Sequence, residues 1–199
     1  KACDRSGALL IVDEVQSGAG RTGKMWAVEH SGVKPDMLTF GKGIGGDVPM
    51  AGLVMRSDLA AKIPDGSVPN TFAANSVSAA VALTNIDILQ DPSMDLLNRA
   101  HTLGLEAQER IRGFNSPFVG EVRGRGLMIG IELVEDRVTK EPLSGEKVGK
   151  LMGYVLSHGV LMVPCGRYSN VMRVMPSLTI PRSLLFKALD VFGEGLASL

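Results

Sequence analysis

Residues 8–14 read ALLIVDE, and this stretch decides the fold class of the chain. Its first five residues are apolar without alternation, which is typical of a short strand in a parallel sheet covered on both faces. The strand ends in the acidic pair Asp13 and Glu14. Ligands of open α/β sheets bind just beyond the carboxyl ends of the strands. The sequence therefore predicts that Asp13 lies where a ligand binds.

A second predicted strand, residues 37–40 (MLTF), runs directly into the glycine-rich segment 41–46 (GKGIGG), which contains Lys42. We expect Lys42 to be desolvated there, and a desolvated lysine has a lowered pKa and a neutral amine that can form a Schiff base with an aldehyde. Taken alone, Lys42 would more often be an exposed loop residue and Asp13 a helix cap or ion-pair partner. The presence of both Asp13 and Lys42 at the ends of predicted strands favours a functional interpretation, because a carboxylate can hold a pyridinium nitrogen protonated.

The glycines at 41, 43 and 46 also match the dinucleotide-binding pattern G-x-G-x-x-G after a strand. That pattern must open a helix whose N-terminus meets the pyrophosphate. Here residues 47–49 (DVP) lead into another extended run, residues 51–55. We therefore expect these glycines to form a tight turn from which Lys42 projects, and a nicotinamide site is disfavoured.

The rest of the chain predicts a helical connection and a second domain. Apolar residues recur at helical spacing from 76 to 112, with an interruption at Asp91 and Pro92, so two helices are expected there. Further strands are predicted over 120–125, 126–135, 159–163 and 171–174, and helices over 146–158 and 182–199. This mixture indicates a sheet domain (1–75), an interdomain helical linker (76–112) and a small α+β C-terminal domain (113–199).

The bulk composition disfavours several classes of partner. Lys plus Arg and Asp plus Glu are both 21, so no net field draws the chain to nucleic acid or to an anionic membrane. Cys3 and Cys165 lie far apart, and the histidines share no ligand spacing, so we expect free thiols, no metal and a reducing compartment. We expect a cytoplasmic protein, and the strand so close to Lys1 leads us to expect that further residues precede it.

The segments 10–18 (LIVDEVQSG), 21–23 (RTG) and 41–46 together resemble the class III aminotransferases, which bind pyridoxal 5′-phosphate (PLP) on a type I fold. The resemblance covers essentially the whole chain. It implies an α/β protein in which 1–75 is the C-terminal part of the large parallel-sheet, PLP-binding domain. It further implies that Lys42 carries the cofactor, Asp13 pairs with the pyridinium, Val15 packs on the ring face and Gln16 hydrogen-bonds the ring hydroxyl.

Residues 70–72 (NTF) resemble a G-T-[FY] segment whose threonine binds the cofactor phosphate of the neighbouring subunit. Thr71 therefore implies a homodimer with shared active sites. The chain departs from the family pattern in two segments: Asp47 replaces a glycine, and 74–76 (ANS) stand where the family has G-N-P. Like-charge repulsion disfavours Asp47 beside a phosphate unless its side chain points away.

Arg173 is the candidate for substrate binding. In residues 171–180 apolar residues alternate around a single arginine, Arg173. An arginine on a strand that faces a cleft suits the binding of a carboxylate. A charged residue on an edge strand explains the spacing equally well. In the family this position matches the arginine that binds a substrate carboxylate. Residues 165–170 (CGRYSN) resemble a segment of 4-aminobutyrate aminotransferases. The resemblance implies amino transfer from an ω-amino acid to 2-oxoglutarate.

Two alternatives stay open. Aminomutases, some racemases and some decarboxylases share these motifs and this cofactor. The chain by itself is alternatively a non-catalytic piece that folds or binds a partner without turnover.

Overall fold

The computed structural model describes residues 1–67 and 69–199. These residues form two compact units, Lys1–Leu97 and Asn98–Leu199. The division falls within the helix Leu96–Arg112.

The first unit contains a three-stranded mixed sheet in the order β1-β2-β3. Its strands are β1 (Ile11–Asp13), β2 (Met37–Gly41) and β3 (Ala51–Met55). β1 and β2 are parallel, as expected, whereas β3 is antiparallel to β2. Only residues 42–50 connect β2 to β3, and a parallel crossover needs a dozen residues or more. The α/β class is therefore confirmed, with an antiparallel third strand.

The expected cover on both faces of β1 is not observed. Ile11 is 57% exposed, and Asp13 at the end of the strand is also exposed. An unalternating apolar run identifies a strand that suits burial on both faces, but whether both faces are covered depends on the elements packed around it. β3 likewise exposes Leu53 and Val54.

Helices precede and follow the strands of this sheet along the sequence. Two short helices, α1 (Ala2–Ser6) and α2 (Ser57–Ala60), were not predicted. The predicted pair is confirmed as α3 (Ser76–Gln90) and α4 (Leu96–Arg112), separated at Asp91 and Pro92. Asn75 caps α3, because its Oδ1 accepts hydrogen bonds from the backbone N–H groups of Val77 and Ser78, both at 3.0 Å.

The glycine-rich segment opens only a 3₁₀ turn, Lys42–Ile44, before the chain enters β3. The prediction that no dinucleotide-binding helix follows is therefore confirmed. The glycines allow a tight turn that reverses the chain, and within this turn Gly45 N donates a hydrogen bond to Lys42 O at 2.9 Å.

The second unit is built around a four-stranded antiparallel sheet in the order β4-β5-β7-β6. The strands are β4 (Val119–Arg125), β5 (Met128–Leu133), β6 (Val163–Cys165) and β7 (Val171–Val174). Its helices are α5 (Gly145–Ser157) and α6 (Arg182–Ala197), besides the part of α4 from Asn98. Apolar residues of both helices join the sheet in one core that includes Leu151, Phe192, Ile131 and Met172. The predicted α+β composition of this region is confirmed.

The predicted strand over 159–163 is wrong at its start, because β6 begins only at Val163. Gly159 has φ +78, and it donates to Leu156 O while Val160 N donates to Val155 O, at 3.0 and 2.9 Å. These two bonds are the Schellman arrangement that ends a helix. Residues 159 and 160 therefore form the C-terminal cap that ends α5, although their sequence is typical of a strand.

Candidate active site

The carboxyl ends of β1 and β2 meet at one edge of the sheet, because the two strands are parallel. In their register Asp13 pairs with Thr39. Asp13 Oδ1 accepts a hydrogen bond from Thr39 Oγ1 at 3.1 Å and another from Val15 N at 2.9 Å. Asp13 is thus an exposed carboxylate whose orientation is fixed by two donors. Thr39 was missed from the sequence, because only the strand register reveals it.

The neighbouring Glu14 has a different role. It is 2% exposed, and its Oε1 accepts from Val28 N at 2.7 Å while its Oε2 accepts from Ser17 Oγ at 2.5 Å. Both carboxylate oxygens therefore hold the loop that follows β1. Partial burial lowers the pKa of the Arg21 guanidinium in this loop, although a guanidinium stays protonated at neutral pH. Of the acidic pair, Asp13 is the member that stays exposed.

Val15 and Gln16 lie in the turn after β1. Val15 is half-buried and packs beside Gly41, where an added Cβ would lie 3.7 Å from Val15 Cγ1. Gly41 directly precedes Lys42, so the turn after β1 reaches the end of β2. Gln16 is exposed. The interpretation of Val15 and Gln16 as ring contacts stays a prediction.

Lys42 follows β2 immediately and begins the 3₁₀ turn. Its backbone has φ 48, in the left-handed region that residues with a side chain rarely adopt. The side chain is exposed. The expectation of a desolvated lysine is therefore wrong for the described residues, because the turn carries Lys42 off the end of the strand and onto an open surface.

Lys42 lines an open cavity of about 790 Å³. The other lining residues come from the connection to β3, from the segment before α3 and from its first turn, and they include Asp47, Asn70, Phe72 and Asn75. Among the described residues, Asp13 and Thr71 do not belong to this lining. Thr71 is exposed between two lining residues. Asp47 therefore places a carboxylate on the same cavity as Lys42.

One residue of the segment before α3 has a backbone conformation that favours glycine. Ala74 has φ 54, a conformation that costs an alanine free energy and that glycine adopts readily. Ala74 therefore has a backbone conformation that suits the glycine of the family pattern at this position. The asparagine of the pattern is present as Asn75 and caps the helix.

Arg173 lies in β7 of the second unit, where it pairs with Gly130 of β5 and with Val163 of β6. Its neighbours Met172 and Val174 are 0% and 7% exposed, so the alternation of a strand puts Arg173 on the other face of the sheet. The side chain is half-buried. β7 is an interior strand, so the edge-strand explanation of Arg173 is wrong.

The donor set of the first unit fits PLP. An exposed lysine can form a Schiff base with its aldehyde, and an oriented carboxylate can hold its ring nitrogen protonated. Asp13 is the last residue of β1, and Lys42 directly follows β2, the adjacent parallel strand. The cavity beside Lys42 has the volume of a small-molecule site.

Comparison with known proteins identifies the family. The profile described as Aminotransferase class-III matches residues 1–196. The chain is 39% identical over 198 residues to a leucine/methionine racemase of Thermococcus litoralis, covering 98% of this chain and 44% of the racemase. It is 34% identical over 194 residues to a 4-aminobutyrate aminotransferase of Escherichia coli K12, covering 96% of this chain and 45% of that enzyme.

Solved structures agree with this result. A Bacillus anthracis aminotransferase superposes with a TM-score of 0.92 at 30% sequence identity, over 99% of this chain and 46% of that one. The chain belongs to the class III aminotransferases, which are PLP-dependent enzymes of the type I fold. It spans a little under half the length of the curated relatives it matches.

In residues 1–67 and 69–199, no helix is both long enough and apolar enough to cross a bilayer.

Proposed function

We propose that the protein transfers the amino group of an ω-amino acid resembling 4-aminobutyrate to 2-oxoglutarate. The observation that supports this best is the placement of Asp13 and Lys42 at the carboxyl ends of two adjacent parallel strands. The similarity to a 4-aminobutyrate aminotransferase supports the substrate class.

Lys42 and Asp13 supply the central chemistry. When bound, PLP provides an aldehyde for the amine and a ring that accepts the electron pair left after deprotonation. Lys42 Nζ would hold PLP through the aldehyde and, once free, would be the base that takes the proton from the amine-bearing carbon of the donor. Asp13 would hold the ring nitrogen protonated, and the hydrogen bonds from Thr39 Oγ1 and Val15 N keep its carboxylate in one orientation.

The remaining candidates orient the reactants. We propose that Val15 packs on the ring face, that Gln16 donates to the ring hydroxyl, and that Arg173 binds a carboxylate of the donor and of 2-oxoglutarate. Thr71 is assigned to the cofactor phosphate of a partner subunit, and its exposure is compatible with that role. The proposal therefore includes a cytoplasmic homodimer with shared active sites.

The test is a coupled assay of the PLP-loaded full-length protein with 4-aminobutyrate and 2-oxoglutarate. One glutamate should form for each donor consumed, and initial rates should follow a ping-pong pattern. Donor consumption without glutamate would contradict amino transfer to 2-oxoglutarate.

Racemisation is the second candidate, and the 39% identical leucine/methionine racemase favours it. A racemase removes the proton from one face of the α-carbon and delivers a proton, exchangeable with solvent, to the other face, so no keto acid is needed. Loss of the L-enantiomer of leucine, with solvent deuterium entering at the α-carbon in the absence of any keto acid, would support this activity over the first.

A further inference from the structure

Asn85 of α3 connects that helix to the turn that begins with Lys42. Its Nδ2 donates a hydrogen bond to the backbone oxygen of Ile44 at 3.0 Å. Ile44 is the last residue of the 3₁₀ turn and is 1% exposed. The amide thus binds the turn at its buried end, two residues after the lysine.

The contact is close as well as polar. A Cβ on Gly46 would lie 3.0 Å from Asn85 Nδ2, which is tighter than ordinary packing, and Gly46 has φ +59. Glycine therefore allows the helix amide to approach the exit of the turn. The stretch 82–89 of α3 reads ALTNIDIL, in which Asn85 is a polar side chain among mostly apolar ones.

The backbone of Lys42 needs such support. Its φ of 48 is disfavoured for a residue with a side chain. Inside the turn, Gly45 N donates to Lys42 O at 2.9 Å and Gly46 N to Gly43 O at 3.4 Å. These local bonds close the turn, whereas the bond from Asn85 attaches it to a helix 41 residues further along the chain.

We propose that Asn85 is a positioning residue for Lys42. By holding Ile44 O, it keeps the turn in the conformation from which Lys42 leaves the sheet, and so sets the direction of the amine. This inference rests on the proposed role of Lys42. Without the bond, the turn relaxes and the lysine spends less time directed toward an incoming aldehyde.

The experiment measures how fast Lys42 captures PLP, independently of turnover. Full-length protein freed of cofactor is mixed with PLP and quenched with borohydride at timed intervals. Lys42 Nζ and the aldehyde lose water to form a C=N bond, which borohydride reduces to a stable secondary amine. Peptide mass spectrometry then compares labelling of Lys42 with that of Lys34 and Lys62, which are exposed in the same unit.

Asn85→Leu, of similar size but without the donor, should lower the rate at Lys42 relative to the reference lysines by about three- to tenfold, the factor expected for one neutral hydrogen bond. Thr84→Ala is the matched control, because Thr84 Oγ1 donates to Ala80 O of its own helix at 3.0 Å. It should leave the ratio unchanged. Thermal unfolding shows whether each variant is folded, and Asn85→Ala replaces the leucine variant if that one is not.

An unchanged ratio in a folded Asn85 variant, or an equal fall in Thr84→Ala, would overturn the positioning role alone. Failure of both Asn85 variants to fold would also overturn it, because the amide would then determine the fold. If the unsubstituted protein shows no preference for Lys42, the proposed function of that lysine is wrong. The two failures are therefore distinguishable.

Discussion

Thr39 and Asp13 are paired across the parallel strands β1 and β2, and Thr39 Oγ1 donates to Asp13 Oδ1 at 3.1 Å. The hydroxyl thereby fixes the carboxylate that we assign to the cofactor ring. Thr39→Val keeps the shape and removes the donor, so kcat should fall by about three- to tenfold. Thr39→Ser should restore most of it. Equal activities of the valine and serine variants would show that the hydroxyl does not support Asp13.

Asp13→Asn should retain PLP but slow proton abstraction by several orders of magnitude, because a neutral amide does not hold the pyridinium proton. Single-turnover stopped-flow absorbance with a deuterated donor measures this step directly. The control is Glu29→Gln, at an exposed carboxylate of the 3₁₀ helix Ala27–Ser31 between β1 and β2. Near-normal proton abstraction in Asp13→Asn would remove Asp13 from the mechanism.

Lys42→Ala should abolish the visible absorbance band of lysine-bound PLP in the full-length protein. Lys62→Ala, at another exposed lysine of the first unit, should leave the band intact. Absorbance spectra after removal of free PLP give the result. A band that persists in Lys42→Ala would assign the cofactor to a different lysine.

Arg173→Ala should lower kcat/KM for 4-aminobutyrate by a factor on the order of 30 or more, because truncating one partner of a buried arginine-carboxylate pair leaves the other charge unpaired. A donor amine without a carboxylate should be much less affected in its own half-reaction under single-turnover conditions. Arg125→Ala is the control, at an exposed arginine of the same sheet. Equal losses for both donors would mean that Arg173 supports structure.

The 199-residue chain alone should show no aminotransferase activity. Its first unit exposes Ile11 and Val54 by 57% and 58%, and apolar side chains exposed on a sheet favour association over an ordered site. Glutamate formation and light scattering of the purified chain test both statements. Turnover by this chain would show that residues 1–199 suffice.

The sequence predicted the parts of the fold that depend on local pattern. An unbroken apolar run identified β1, and the mostly apolar residues 37–40 identified β2. Asp13 and Lys42 then followed from the rule that ligands bind at the carboxyl ends of such strands. Asp91 and Pro92 separated α3 from α4 for the local reason that proline cannot continue a helix.

The features that were missed depend on distant parts of the chain. Thr39 is recognised only through the register of two strands, and Asn85 only through a contact with Ile44 across 41 residues. The exposure of Lys42 follows from the path of the turn, and no pattern in GKGIGG specifies that path. The start of β6 was misplaced because the apolar Val160 contributes a backbone hydrogen bond to a helix end, which its side chain does not indicate.

The ladder between β2 and β3 ends with the pair Gly41 and Ala51, immediately before and after the connection 42–50. The two residues that border this loop are therefore paired with each other in the sheet, and Lys42 directly follows one of them, Gly41. For protein engineering, the connection is therefore a loop whose sequence can be changed while its two bordering residues stay paired in the sheet. Residues 47–50 can be exchanged for the same number from another family member, Asp47 included, while Gly41, from which Lys42 continues, stays paired with Ala51 in the sheet.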